Sequence, residues 1–316
     1  MQPIPTLRSQ NAIAGVAILL LSLSVLSVLD ASGKWILAAG VSLVVVTWFR
    51  YVVHFLLIVG LLLSRNELHL FKSHALKYQL SRGVTILFTT MGFFTTISYL
   101  PQAQATTMLF AAPLIILALA PWLLGEPKRV SRWLAATLGF MGVLIVVRPS
   151  SGLSPIGVGF GVLTALLMAT QHLLTRKVAI DHPLTTILWS GMIGAIALTL
   201  MLPIMLPIAD PHWAQTLAEL PLGAWAVLLS LGLSGGIGHL LQVQAYRLAA
   251  ASLLAPFMYV QIIPAAALGW LIWGDFPDAI SWIGIGLICT SGAGIAWYEW
   301  HSSRRQAISA LAKRPA

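Results

Sequence analysis

The feature that most constrains this chain is a succession of apolar runs, each about as long as a lipid bilayer is thick. A membrane-spanning helix needs roughly 20 mainly apolar residues, and such runs recur throughout the 316 residues. The runs are continuous rather than alternating, which is typical of helices and not of membrane β-strands. Only 9% of the residues are charged, against about 25% in a soluble domain. The chain is therefore predicted to be an all-α, multi-pass membrane protein and not a soluble enzyme or a disordered chain.

Ten spans can be placed along the sequence. They cover residues 11–31, 41–63, 83–100, 103–124, 133–148, 156–174, 184–207, 222–244, 252–273 and 280–299. Ten helices of about 20 residues occupy roughly 200 positions, and the rest is divided among short connections and two tails. The longest polar connection, residues 64–82, is too short to build a core of its own. We therefore expect ten transmembrane helices in one membrane unit.

Lysine and arginine residues are distributed unevenly between the two sets of connections. Fifteen of the 18 lie on the side that holds both tails, whereas Lys34 and Arg148 lie on the other. The connection 64–82 contributes Arg65, Lys72, Lys77 and Arg82. Because positive residues are retained in the cytoplasm, both termini are predicted to be cytoplasmic, in an inner or plasma membrane. The formal net charge of +9 is then a topology signal and not a sign of nucleic-acid binding.

The two halves of the chain carry a similar pattern near the ends of the fourth and ninth spans. The fourth span ends at a Gly-Glu pair, 125–126, and the fifth begins at Trp133. The ninth ends at a Gly-Asp pair, 274–275, and Trp282 follows, both at an offset of 149 residues. Five spans per repeat is an odd number, so consecutive copies must have opposite orientations in the membrane. Inverted repeats with proline-interrupted helices are typical of carriers that use alternating access, and a duplication kept for packing is the alternative.

The stretch from Ala112 to Pro149 resembles the first repeat of the EamA family, part of the drug/metabolite transporter superfamily. It contains, in order, Ala-Pro, Leu-Leu-Gly-Glu, Arg-Trp-Leu and Gly-Phe-Met-Gly-Val-Leu-Ile-Val-Val-Arg-Pro. The family's second repeat is similar to a later stretch of this chain, which consists of residues 245–257, Gly269 and the pair 274–275. The resemblance covers nearly the whole chain.

This resemblance implies a fold and a function. The fold is an all-α membrane protein of ten transmembrane helices in two inverted five-helix repeats. The first repeat is expected over 11–148 and the second over 156–300, followed by a basic cytoplasmic tail over 301–316. The implied function is secondary active transport of a small polar organic metabolite, with export favoured and uptake as the alternative direction.

Charged residues in the first two spans are the first candidates for a substrate site. Arg50 lies about ten residues into an apolar span, where a charge costs on the order of 2.5–3.5 kcal/mol, and His54 follows one turn later. An intramembrane charge indicates a functional site by default. We predict that Asp30, Arg50 and His54 line the outward half of the substrate path, where a carboxylate and a guanidinium suit amino-acid-like zwitterions. The structural alternative is that Arg50 pairs with Asp30 or with carbonyl groups to lock two helices together.

A second set of candidates lies in the eighth and ninth spans. His239, Gln242 and Tyr246 follow the spacing of one helix face. Tyr259 and Gln261 lie between two prolines, where a broken helix exposes backbone carbonyl groups. Aromatic and amide side chains suit a polar organic substrate, so these five residues complete the predicted site. Hydrogen bonding between helices is the structural alternative.

Other functional classes explain fewer of these features. Residues 232–235, Gly-Leu-Ser-Gly, resemble the serine motif of rhomboid intramembrane proteases, but the ninth and tenth spans contain no histidine to act as a base. No GxxxxGK[ST] loop for binding ATP is present, so transport is expected to run on gradients. A single cysteine, Cys289, makes no metal cluster with other cysteines. A non-transporting membrane scaffold is the remaining alternative.

The expected partners are therefore a small-molecule substrate and the lipid bilayer, with no nucleic acid, metal or cofactor. Three titratable residues, Asp30, His54 and His239, are candidate carriers of a coupled proton. No oligomeric state is predicted.

Overall fold

The computed structural model describes residues 12–99, 108–148, 153–274 and 277–312. These residues are mostly helical and include no β-strand. The all-α prediction is therefore confirmed for the described part of the chain. Four predicted features lie outside it: Arg8 in the first tail, the start of the fourth span at 103–107, Asp275 and the last four residues of the basic tail.

The described chain forms a series of long helices joined by short connections. In chain order the α-helices are α1 (Ala12–Ala38), α2 (Leu43–Ser64), α3 (Leu76–Tyr99), α4 (Ala112–Leu124), α5 (Val130–Val147), α6 (Pro155–Lys177), α7 (Pro183–Ala209), α8 (Trp213–Ala218), α9 (Leu222–Leu248), α10 (Ala251–Leu254), α11 (Ile262–Trp273) and α12 (Ala279–Ala312). Short 3-10 helices occupy Leu68–Phe71, Val178–Ile180 and Ala255–Gln261. Within the described residues, eight helical segments are long and apolar enough to cross a membrane. The chain is thus a multi-pass helical membrane protein.

The start of α3 corrects one sequence prediction. This helix begins at Leu76 and not at residue 83, so Arg82 lies inside a helix and not in the preceding connection. The predicted span begins at residue 83 because the apolar run begins there. The helix itself begins earlier, because Gln79 and Arg82 are buried on a face of α3 that forms hydrogen bonds to α6 and α7. Arg82, one of the fifteen positive charges expected on the side that holds both tails, is therefore an interior charge.

Two other helices also extend beyond the predicted spans. Helix α1 continues to Ala38, which places Asp30 and Lys34 well inside it. Helix α12 continues to Ala312, so most of the tail predicted over 301–316 extends the last span as helix.

The ninth span is broken, as its two prolines predict. Helix α10 ends at Leu254, a 3-10 helix follows, and α11 resumes at Ile262. Pro256 lies in the first turn of the 3-10 segment, where a missing backbone N–H group costs least. The break turns Tyr259 into the core and leaves Gln261 half-buried beside α1.

Helices from the two halves of the chain are interleaved. Helix α1 packs along α9, α3 along α6 and α5 along α12, while α2 lies against both α9 and α7. Helix α3 also packs on α7, α4 on α6, and α1 on the 3-10 segment and α11. A large hydrophobic core draws residues from α1, α4, α5, α6, α9 and the broken ninth span. Polar side chains inside this bundle are therefore held between helices of opposite halves.

The connections between consecutive helices lie at two ends of the bundle. The basic end contains residues 64–75, 125–129, 178–182 and 249–250, and the far end contains residues 39–42, 210–221 and 277–278. Hydrogen bonds of Asp181, Glu126 and Arg176 hold the segments of the basic end together. At the far end, Arg148 bonds Asp278 at 2.6 Å and holds the pKa of that carboxyl below its ordinary range. Both of these side chains are about half exposed, so the pair adds little stability.

Candidate functional site

The predicted residue Asp30, on α1, contacts the broken ninth span. Its carboxylate accepts a hydrogen bond from Nε2 of Gln261 at 3.2 Å. The backbone carbonyl of Gln261 accepts in turn from Oγ of Ser27, one turn earlier on α1, at 3.5 Å. Asp30 is exposed and Gln261 half-buried. The carboxylate is thus fixed by an amide while one side of it remains accessible.

A second hydrogen-bonded group joins α2 to α9. Nη2 of Arg50 lies 3.1 Å from Nε2 of His239, and Nδ1 of the same imidazole lies 3.3 Å from Oε1 of Gln242. His239 and Gln242 are buried, whereas Arg50 is half-buried. Gln242 therefore orients the imidazole, and the imidazole faces the guanidinium across the two halves of the chain.

Asp30 and Arg50 belong to the same region without being hydrogen-bonded to each other. The charge of Arg50 acts on the carboxylate of Asp30, so the two groups are electrostatic neighbours. Lys34, one turn after Asp30, instead places Nζ 4.2 Å from the ring centre of Trp273. The structure therefore places Arg50 within electrostatic reach of Asp30, whereas Lys34 lies against Trp273.

His54 is buried on the same helix as Arg50, and it packs against glycines of α9. A Cβ atom on Gly236 would lie 3.4 Å from Cδ2 of His54, and one on Gly232 would lie 2.8 Å from its backbone nitrogen. Nε2 of His54 has no hydrogen-bond partner within the described residues. The close approach of α2 to α9 thus depends on small residues and leaves one imidazole nitrogen unused.

The two predicted tyrosines lie in the hydrophobic core and apart from these polar groups. The ring of Tyr246 stacks on His172 with centroids 5.4 Å apart, and its hydroxyl points to Sδ of Met258 at 3.9 Å. Tyr259 packs against Phe110 with ring centroids 5.9 Å apart, and both tyrosines are fully buried. Of the eight predicted site residues, Asp30 and Gln261 form one bonded pair, and Arg50, His239 and Gln242 form one bonded group.

Sequence reasoning missed a buried arginine on α3. Arg82 donates from Nε to Oγ1 of Thr175 at 2.8 Å and from Nη1 to Oγ of Ser190. It is fully buried, and in the part of the chain that the structure describes its Nη2 has no hydrogen-bond partner. The signal that could have found it is a polar stripe: Gln79, Arg82 and Thr90 share one face of α3, and all three are buried.

A buried carboxylate at the basic end holds the start of α3. Asp181 accepts hydrogen bonds from Oγ of Ser73 at 2.5 Å, from the backbone N–H of His74 at 2.8 Å and from Nε2 of Gln79 at 2.9 Å. Burial raises the pKa of this carboxyl, but the hydrogen bonds outweigh it and hold the pKa below the ordinary value. A residue of the second half thus fixes a helix start of the first half.

A second carboxylate makes the reciprocal connection. Glu126 accepts from the backbone N–H groups of Ala251 and Ser252 at 2.8 and 2.9 Å, at the start of α10, and from Oγ of Ser252. Nη1 of Arg132 reaches the same hydroxyl at 2.5 Å. Each half of the chain therefore closes the basic end by capping a helix of the other half.

Comparisons with known proteins point to membrane carriers. Residues 155–297 match the sequence model of the EamA-like transporter family. The chain is 28% identical over 200 residues to an S-adenosylmethionine uptake transporter of Rickettsia bellii, covering 62% of this chain and 64% of that protein. It is 27% identical over 215 residues to a riboflavin transporter of Vibrio cholerae, covering 65% of this chain and 66% of that one. The matched stretch thus spans just under two thirds of the length of these two relatives.

A third relative and a solved structure complete the comparison. The chain is 26% identical over 204 residues to a pseudopaline exporter of Pseudomonas aeruginosa, covering 64% of this chain and 68% of that protein. A protein of known crystal structure matches with a TM-score of 0.74 and 18% identity, covering 92% of this chain and 96% of that one. The two proteins share a fold over almost their entire lengths.

Proposed function

We propose that this chain is a member of the EamA-like transporter family and a secondary active transporter that works by alternating access. Its substrate is a small polar organic metabolite, amino-acid-like or related, which crosses the inner or plasma membrane. The named relatives carry small metabolites in both directions. Export is the proposed direction and uptake is the alternative.

The proposed architecture is ten transmembrane helices in two inverted five-helix repeats, over 11–148 and 156–300. The pairing of helices supports it, because the pattern is preserved when each span is exchanged for the one five spans later. The α1–α9 contact becomes α6–α3, α2–α9 becomes α7–α3, and α4–α6 becomes α11–α1. The pairs α2–α7 and α5–α12 map onto themselves. Gly125 and Gly274 also end α4 and α11 alike, with φ angles of 67° and 75°.

The observation that carries the proposed site is the hydrogen-bonded group Arg50–His239–Gln242. It joins α2 of the first repeat to α9 of the second. A substrate bound here touches both repeats, so a relative motion of the repeats changes its contacts. Inverted-repeat carriers place their substrate site at such an interface.

The charges at this site fit a zwitterion. The exposed carboxylate of Asp30, fixed by Gln261, suits an ammonium group, and the guanidinium of Arg50 suits a carboxylate. Tyr246 and Tyr259 are buried in the hydrophobic core. We propose that they support the site by packing behind it and do not contact the substrate. His54, on the same helix as Arg50, packs against Gly232 and Gly236 of α9.

Transport is proposed to draw its energy from gradients. A membrane potential supplies about 2.3 kcal/mol per charge for each 100 mV, so any net charge that moves with the substrate contributes. Asp30, His54 and His239 are the proposed carriers of a coupled proton. Both termini are proposed to be cytoplasmic, in line with the excess of lysine and arginine on the connections of the basic end.

The remaining alternatives have less support. Oγ of Ser234, the serine of the protease-like motif, donates to the carbonyl of Ser230 at 2.6 Å. The imidazole of His239 is bonded instead to Arg50 and Gln242. A serine protease needs its serine and base within hydrogen-bond reach, so intramembrane proteolysis stays a remote alternative beside a non-transporting scaffold.

Metabolite profiling of cells and spent medium tests this proposal. Cells express the wild type, Arg50→Ala, the surface control Arg148→Ala, or no protein, at matched membrane levels. We expect a compound to rise in the medium only with the wild type and the control. A charge-assisted hydrogen bond contributes about 1.5–3 kcal/mol, so Arg50→Ala is expected to slow this flux by roughly tenfold or more.

Each other outcome removes a specific part of the proposal. Faster loss of a compound from the medium makes the protein an uptake carrier. Equal flux with the wild type and Arg50→Ala leaves transport intact and removes Arg50 from the site. No difference between wild-type and empty cells contradicts transport and favours the scaffold.

A further inference from the structure

Arg82 is a charged side chain enclosed by neutral partners. We propose that Arg82 binds the carboxylate of the transported substrate near the basic end, so that the substrate passes between two arginines, Arg82 and Arg50. This inference rests on the proposed function, and it narrows the substrate class to metabolites that carry a carboxylate.

The partners of Arg82 leave its charge uncompensated. Thr175 and Ser190 accept its hydrogen bonds, and their own hydroxyl protons are already donated to backbone carbonyls, of Gln171 at 2.8 Å and Thr186 at 2.7 Å. Among the described residues, Arg82 forms no ion pair. A buried charge without a counter-charge costs several kcal/mol, and a cation inside a membrane protein marks a ligand path by default.

Unused polar atoms gather around the same position. In the described part of the chain, eight buried side-chain nitrogen or oxygen atoms lack a hydrogen-bond partner, and four of them belong to Arg82, His54 and His172. His172 lies one turn before Thr175 on α6, on the same face as this partner of Arg82, and the charge of Arg82 acts on the rings of His172 and His54. Buried polar groups in native proteins are nearly always bonded. A set of unused nitrogens around a fixed guanidinium therefore indicates the place of an anion.

The two arginines take part in corresponding helix contacts of the proposed repeats, with one donor on α2 and the other on α3. Arg50 on α2 bonds across to α9, and Arg82 on α3 bonds across to Ser190 on α7. Exchanging the repeats turns the pair α2–α9 into α7–α3, so the two contacts correspond. At a rise of 1.5 Å per residue, each arginine lies about 10 Å inside its helix, counted from opposite ends of the bundle. The charges of both arginines act on the ring of His54.

The accessibility of the two positions differs in the way that alternating access requires. Asp30 is exposed and Arg50 half-buried, whereas Arg82 is fully buried, and Gln79, one turn nearer the basic end, is bonded to Asp181. The far side of the path is thus the open one in this conformation. Rocking of the repeats exposes Arg82 and closes Arg50, and the carboxylate is passed from one guanidinium to the other.

Binding of a simple carboxylate to the purified protein tests this inference without knowledge of the natural substrate. Thermal unfolding is followed in detergent with sodium acetate, with acetamide, or with sodium chloride at equal ionic strength. The proteins are the wild type, Arg82→Gln and the exposed control Arg65→Gln. We expect acetate to raise the Tm of the wild type and the control, while acetamide has no effect. The apparent Kd for acetate is expected to weaken at least tenfold in Arg82→Gln.

A second variant covers the case in which Arg82→Gln does not fold. Thr175→Val removes the hydroxyl that positions Nε of Arg82, and it is expected to weaken acetate binding several-fold. The inference is overturned if acetate stabilises Arg82→Gln as well as the wild type, if chloride acts as strongly as acetate, or if acetate leaves the wild type unchanged.

Failure of this inference and failure of the proposed function are distinguishable. In the flux experiment, transport of a compound without a carboxylate leaves the transporter in place and overturns only the role of Arg82. Absence of all flux, together with acetate binding that depends on Arg82, overturns the transporter and leaves an anion site.

Discussion

Asp181 shows how one residue can stabilise a contact between distant parts of the chain. It is almost fully buried, yet it stays charged because hydrogen bonds from Ser73, His74 and Gln79 surround it. Hydrogen bonds to charged groups are worth more than neutral ones. The carboxylate therefore ties the start of α3 to the connection before α7.

Replacing Asp181 with asparagine is expected to lower the free energy of unfolding by about 1–3 kcal/mol. The amide keeps one acceptor oxygen but loses the charge, and its NH2 group faces donors. Thermal unfolding in detergent measures the loss. Asp210→Asn is the matched control, because that carboxylate accepts a backbone hydrogen bond from His212 in a partly exposed turn. Equal losses in the two variants would contradict the role of Asp181.

The same carboxylate predicts a pH dependence of stability. Its pKa is lower in the folded state than the ordinary value of 3.8, so the unfolded state binds the proton more readily. The stability that Asp181 contributes is complete above the ordinary value and is lost as pH falls through the lowered folded pKa. Unfolding measured between neutral and acid pH should show this loss in the wild type and not in Asp181→Asn. A variant that loses stability in parallel with the wild type would refute the linkage.

At the scale of elements, α5 and α12 approach closely through two glycines. A Cβ atom on Gly284 would lie 2.6 Å from the carbonyl oxygen of Gly142, and one on Gly142 would lie 2.8 Å from that of Gly284. Backbone atoms cannot move aside as a flexible side chain does. Small residues at such crossings allow membrane helices to pack by direct contact.

Gly284→Ala is therefore expected to destabilise the protein by about 1–3 kcal/mol through overpacking. Gly286→Ala, on the same helix, is the matched control, because nothing lies within 4 Å of its added methyl group. That control is expected to gain about 0.5–1 kcal/mol from higher helix propensity. Thermal unfolding of the two variants should move in opposite directions, and a common direction would contradict the observed crossing.

At the scale of the whole molecule, the two halves depend on each other. The main helix pairs join a helix of the first half to one of the second, and the carboxylates of Asp181 and Glu126 cap across the halves in opposite directions. Neither half buries its polar residues alone.

Labelling with a membrane-impermeant maleimide tests the proposed orientation of this bundle. The single cysteine, Cys289, is exposed and is first replaced by serine. Lys72→Cys at the basic end and Gln215→Cys at the far end then report on the two sides, and both positions are exposed. We expect Gln215→Cys to react on intact cells and Lys72→Cys only after the membrane is opened. The reverse pattern would invert the orientation, and labelling of both from one side would contradict the alternation of spans.

The candidate site could be predicted only in part from the sequence. Arg50 and Asp30 stand out because a charge in an apolar run is costly and therefore conspicuous. The helix face shared by His239 and Gln242 follows from spacing alone, and the structure bonds the two. Arg82 was missed because it directly precedes an apolar run, where a charge reads as part of a connection.

The sequence by itself determined the class of this protein: helical, multi-pass and similar to a family of carriers. Those properties depend on the length and polarity of local segments and on motifs that persist along the chain. Only the tertiary structure decided which faces meet. Arg82 turns toward Thr175 and Ser190, Asp30 bonds Gln261, and the tyrosines enter the core because each helix is rotated by its neighbours. A helix that is apolar on every side has no one face that its own residues mark as buried. Its rotation about its own axis is therefore set by packing against helices that are distant in the sequence.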